Sequence, residues 1–307
     1  MATTTTVPRN RHFHGEAHVL SGRLQRPVEQ IIEKHAEVVL KDQKERHLTR
    51  FIKGVNIEGL VSFKSGRTRV SGSKSLKDEP KNHGFVTLAT SVIEGLNVFE
   101  VITAERVVAQ VATDYPMDNG HNEHTNYPHV TFLGTHFDNV RVNGGLLTLK
   151  LNFEMIGERE GDTSYLSHRG FLRRIKNQTA KVAKAKGLSK DLQTEYAKRL
   201  TAINNLIKGR KPREAKVTFS IVENIDNLDA IPIPGVKVVG HLLMLPNFGT
   251  VSLGEVSVSE VANKDPRKPP SNLFELKMLQ INMGCVGDGM VDGAVAAANG
   301  HGGPPKP

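Results

Sequence analysis

Apolar and polar residues alternate at a period of two through most of this chain, and that pattern predicts β-strands. Val55 and Ile57, then Leu60, Val61 and Phe63, place apolar side chains on one strand face, and Ser65 with Gly66 reads as the turn that follows. Strands are expected over 85–93, 98–103 and 106–113, with a hairpin turn at Ala104 and Glu105. More follow over 129–133, 137–142 and 146–153, where Asn143, Gly144 and Gly145 form a tight-turn signal. β-Branched residues dominate these runs, as a half-buried pleated surface favours.

Two stretches depart from the period of two. Pro27 opens a segment in which Val28, Ile31, Ile32, His35 and Val39 fall at helical spacing, which predicts a short helix. Between about 164 and 208 Gly and Pro become scarce, and two helical segments are broken at Gly187, Leu188 and Ser189. Ser189 suits a helix N-cap with Asp191 in the first turn, and Leu192, Tyr196, Leu200, Ile203 and Ile207 recur at three- and four-residue spacing. Strands resume over 215–222, 236–245, 250–259 and 273–283.

The two strand-rich parts echo one another. Val86, Thr87 and Leu88, followed by 91–94, match Val217, Thr218 and Phe219, followed by 220–223; 137–143 matches 253–259, and 149–152 matches 279–282. Internal repetition of several segments in order is a sign of duplicated architecture. The expected fold is therefore mainly β: two related strand-rich halves forming a sandwich or barrel-like scaffold, with a basic helical hairpin between them. The boundaries are a flexible N-terminal arm over 1–22, a first β half over 23–156, a helical insertion over 164–210, a second β half over 215–285 and a Gly/Ala/Pro-rich tail over 286–307.

Charge changes the picture at one place. The chain of 307 residues carries a formal charge of +9, yet 168–216 alone holds fifteen Lys and Arg against three acids. Arg169, Arg173, Arg174, Lys176 and Lys181, on the first predicted helix, are candidates for binding a polyanion or nucleic acid, with an acidic protein surface as the other fit. Aromatic residues are only 5%, so stacking platforms are few. No apolar run is long enough for a membrane helix, and the polar start lacks a secretory pattern, so a cytoplasmic address is the default. Cys285 is the single cysteine, which rules out an internal disulfide.

Histidine is the one reactive residue type that clusters. His12, His14 and His18 lie near the start beside Glu16, and His121, His124, His129 and His136 lie on or beside one loop, where they are candidate ligands for a divalent metal. No phosphate-cradling loop, dinucleotide fingerprint, nucleophile elbow or zinc-protease helix is present, and no organic cofactor is implied. The expected function is a non-enzymatic, self-associating β scaffold that forms a homo-oligomer. Polyanion binding through the basic helix and a His-ligated metal enzyme are the alternatives.

Overall fold

The computed structural model describes residues 13–42, 44–74, 84–116, 125–158, 161–263, 270–284 and 288–299. Its strands run in chain order as β1 (Phe13–Arg26), β2 (Gln30–Ile32), β3 (Val38–Asp42), β4 (Arg46–Ile57), β5 (Val61–Lys74), β6 (Phe85–Val98), β7 (Ile102–Tyr115), β8 (His129–Thr131) and β9 (His136–Asp138). Short strands β10 (Arg141–Val142), β11 (Gly145–Leu146) and β12 (Thr148–Leu151) precede helices α1 (Arg169–Ala183) and α2 (Lys190–Ile207). After them come β13 (Glu214–Ser220), β14 (Val222–Asp226), β15 (Lys237–Val239), β16 (Leu242–Leu245), β17 (Gly249–Val261), β18 (Ser271–Met283) and β19 (Asp288–Asn299).

Two antiparallel sheets carry the fold. The first runs β15-β16-β17-β18-β19-β1-β2, with β13 also on β17 and β3 also on β1; the second runs β11-β10-β7-β6-β5-β4, with β8 and β9 on β7. They pack face to face as a sandwich. Phe13 of β1 lies over Gly72 of β5, Val19 over Gly66, and Ile93 of β6 reaches Gly293 of β19. A hydroxyl crosses the same gap, where Ser91 Oγ donates to the His18 carbonyl at 2.8 Å. The helical hairpin closes the sandwich beside β13: the Phe171 and Phe219 rings stand edge to face at 5.5 Å, and Gln178 hydrogen-bonds the backbone of Ser220 in both directions at 2.8 Å.

The mainly-β sandwich and the helical hairpin match expectation, and Ser189 caps α2 as its sequence predicts, accepting from the Leu192 amide at 3.3 Å. A closed barrel is not what forms, because the two sheets are separate. The echoing segments occupy unlike places. Residues 86–94 sit within β6 at the centre of the second sheet, whereas 217–223 spans the break between β13 and β14, which pair with β17 and β12. Val, Thr and Gly recur in any half-buried strand, and this accounts for the likeness without shared topology.

Four local expectations are corrected. The hairpin turn between β6 and β7 falls at 99–101, where Phe99 and Glu100 have positive φ, and Ala104 and Glu105 lie inside β7. Residues 27–39 form no helix; β2 and β3 both pair with β1, as the β-branched Val28, Ile31, Ile32 and Val38 favour. Ser65 and Gly66 lie inside the continuous β5, and the turn falls at 58–60, where Glu58 and Gly59 both have positive φ. The largest correction concerns the ends. The expected arm and tail contain β1 and β19, which are neighbours within the first sheet, paired from His14 with Asn299 to Arg26 with Asp288. β1 buries Phe13, Ala17, Val19 and Leu20, and β19 buries Ala294, Ala296 and Ala298. Small side chains on β19 let the second sheet approach, so its low bulk is a packing device.

That seam generates a test. A Cβ on Gly22 of β1 would lie 2.2 Å from the Met290 carbonyl oxygen of β19, a backbone atom unable to rotate away. Gly22→Ala is expected to destabilise the fold by about 1–3 kcal/mol in urea unfolding. Gly284→Ala, where a Cβ meets nothing within 4 Å, is expected to be close to neutral.

Candidate anion site on the second sheet

Strand alternation sends one set of side chains from β4 to β7 into the core and the next set out to solvent. On β5, Thr68 and Val70 are fully buried, while Arg67 and Arg69, which alternate with them, are exposed on the other face. Register then builds rows across that outer face. One row reads Phe51, Arg67, Val92, Val108 and His136; the next reads Thr49, Arg69, Thr90 and Gln110. Apart from Thr49, these residues line an open concavity of about 580 Å³ with Glu94, Arg106 and Leu88.

The charges in the concavity are unevenly satisfied. Arg106 lies 3.3 Å from Glu94 and 4.0 Å from Asp138. Ser65 Oγ donates to Glu94 at 2.6 Å, and that bond together with Arg106 holds the Glu94 carboxyl below its usual range. Arg67 and Arg69, by contrast, make no ion pair among the described residues. Two positions on one strand face put their Cα atoms about 7 Å apart. Gln110 is oriented by donating to the Leu133 carbonyl at 2.6 Å, and His136 by donating from Nδ1 to the Gly134 carbonyl at 2.8 Å.

Of the expected polyanion ligands on α1, Arg174 is committed to structure: its Nε and Nη2 donate to the Met155 and Ile156 carbonyls at 3.2 and 2.8 Å. Arg169, Arg173 and Lys181 are exposed and Lys176 is half-buried, on the faces left by buried Phe171, Leu172, Ile175 and Val182. Other cations of the basic segment also hold the fold, Arg199 against Glu255 and Lys211 against Glu260.

The histidine cluster is only partly described, since His121 and His124, like His12 and Cys285, lie outside the described residues. His129 stands opposite Asp114 and His136 opposite Val108 on the same strand. Six residues of strand separate them by about 20 Å, too far to share an ion. Among the described residues, no group of three or more His, Cys, Asp or Glu is arranged to hold a metal.

A buried polar cluster has the reach of catalytic groups without the access. Tyr196 Oη lies 3.0 Å from His241 Nε2, which is 3.1 Å from Glu255 Oε1; Arg199 donates to that carboxylate oxygen at 2.9 Å. Burial pushes the Glu255 carboxyl up, but His241 and Arg199 outweigh it and hold the group ionised. Tyr196 and His241 are each 2% exposed, so no substrate reaches them and the cluster fastens α2 to β17.

Sequence reading missed Arg67, Arg69 and Phe51. Their signal was the i, i+2 pair of arginines in an alternating strand, hidden by the turn assigned to Ser65 and Gly66. Residues 12–259 match the model of a family described as a domain of unknown function, DUF8256. The chain belongs to that family. The match ends inside β17, whereas β18 and β19, which complete the first sheet, follow it. No curated protein and no solved structure matches the chain.

Two predictions follow from the buried polar groups. Arg199→Leu removes the guanidinium from the buried Glu255 carboxylate and leaves His241 as its neighbour in the cluster; it is expected to cost up to about 3–5 kcal/mol, read by urea unfolding. On β1, burial and the nearby Lys34 ammonium hold the His18 imidazole down to about 4, against the pull of Glu16, Asp292 and Glu37; burial lowers His14 as well. The unfolded chain takes up the His18 proton near pH 6.5, before the folded chain does, so stability is full above that pH and falls between 6.5 and about 4. The loss from His18 is about 3 kcal/mol, and His18→Gln is expected to flatten unfolding free energy against pH across that window.

Proposed function

We propose that the protein is a non-enzymatic β scaffold that presents the concave outer face of its second sheet to anionic partners. The observation that carries this reading is the pair Arg67 and Arg69, side by side, exposed and outside any ion pair among the described residues. Guanidinium forks match phosphate and carboxylate oxygens, and an open concavity gives such groups a fixed approach. The potential acid–base groups at the site are engaged in positioning: Glu94 with Ser65 and Arg106, His136 with Gly134. This supports recognition over chemistry. Among the described residues no helix is long and apolar enough to cross a membrane.

Retention on heparin across a salt gradient tests the reading. The wild-type chain is expected to elute late, and Arg67→Ala with Arg69→Ala to elute at clearly lower salt, because each lost phosphate or sulfate contact reduces counterion release. A variant with Arg169, Arg173 and Lys181 changed to Ala is expected to shift less. The reverse order would move the site to the helix, and no retention of the wild-type chain would remove the proposal.

Self-association is a second reading with its own support. Ile31 of β2 is 65% exposed and Met290 of β19 is 42% exposed, and both stand opposite Arg23 of β1, so they share one surface row. A second copy of the chain would cover them. Sedimentation velocity is expected to show a dimer that Ile31→Asp with Met290→Asp converts to monomer; a wild-type monomer at high concentration would end this reading.

A further inference from the structure

Charge does not exhaust the chemistry of the concavity. Building on its reading as an anion-binding face, we propose that it is a site for a small phosphate monoester that carries an aromatic ring, of the kind a nucleoside monophosphate represents. Three observations carry the step from anion to ester.

The first is Phe51. It stands opposite Arg67 in the β4–β5 register and is 61% exposed, so a large apolar ring is held in water next to a cation. An exposed ring at the mouth of a basic concavity offers a stacking surface, and base stacking on such rings contributes about 1–3 kcal/mol. The second is the apolar surface between the polar groups. Leu88, Val92 and Val108 line the concavity, where a planar ring makes better contact than a hydrated inorganic ion. The third is the row beyond Arg69, where Thr90 and Gln110 follow in register. One hydrogen of the Gln110 amide nitrogen goes to the Leu133 carbonyl, which leaves the second hydrogen and Oε1 to a ligand, next to Thr90 in the cross-strand row. A phosphate on the two arginines, a ring against Phe51 and Val92, and a sugar or ring heteroatom at Thr90 and Gln110 use the groups the site presents. A volume of about 580 Å³ is of the right size.

Calorimetric titration of the full chain at low ionic strength with 5′-AMP, adenosine and inorganic phosphate tests this. AMP is expected to bind at least ten-fold tighter than either half alone. Arg67→Ala with Arg69→Ala is expected to reduce AMP to the level of adenosine. Phe51→Ala is expected to reduce AMP to the level of phosphate and to leave phosphate itself unchanged. All three side chains are exposed, and matching thermal melts would confirm that the variants fold. Equal affinity for AMP and phosphate, or AMP binding insensitive to Phe51→Ala, overturns the inference while leaving the broader anion-binding reading intact if heparin is still retained. If phosphate, AMP and heparin all fail to bind, both readings fall.

Discussion

The pairing of β1 with β19 is the constraint on which the rest of the structure depends. It joins the two ends of the described chain within the first sheet, with β2 and β3 continuing from β1 and β18 from β19. Every backbone amide and carbonyl in such a buried strand needs a partner, and removal of either strand would open two edges in the interior of the sheet. The pairing also sets the distance between the layers. Alanines along β19 and glycines facing β1 across the gap allow Phe13, Val19 and Ile93 to interdigitate where bulkier neighbours would hold the sheets apart.

Close layers free the opposite face of the second sheet. On β5 the same backbone that buries Thr68 and Val70 must send Arg67 and Arg69 outward, since neighbouring side chains on a strand point to opposite sides. The core thus positions the arginines without touching them. A one-residue slip of β5 would bury both charges, so the apolar face that holds the register also preserves the site. The helices play a different part: their cations are divided between exposed positions and internal bonds such as those of Arg174 and Arg199, and their apolar faces cover the sandwich beside β13.

Much of this was legible in the residues. The helical hairpin with its Ser189 cap and the long strands between 215 and 283 followed from periodicity, as did most of 85–113. Bulk misled where packing rewards smallness. Ala294, Ala296 and Ala298 look too slight to build a core, yet small residues are what a close sheet-to-sheet approach requires. Helical spacing of Val28, Ile31 and Ile32 was outweighed by pairing to β1, a contact with no local signature. Gly66 resembled a turn residue and serves instead as the floor for Val19, and that misreading concealed Arg67 and Arg69.

Amide hydrogen exchange over β1 and β19 tests the central claim most directly, because protection reports the free energy needed to open each segment. Amides in 14–24 and 289–298 are predicted to exchange among the slowest in the protein, alongside those of β6 and β18. Exchange of either segment within seconds, at the rate of an unstructured peptide, would contradict the account.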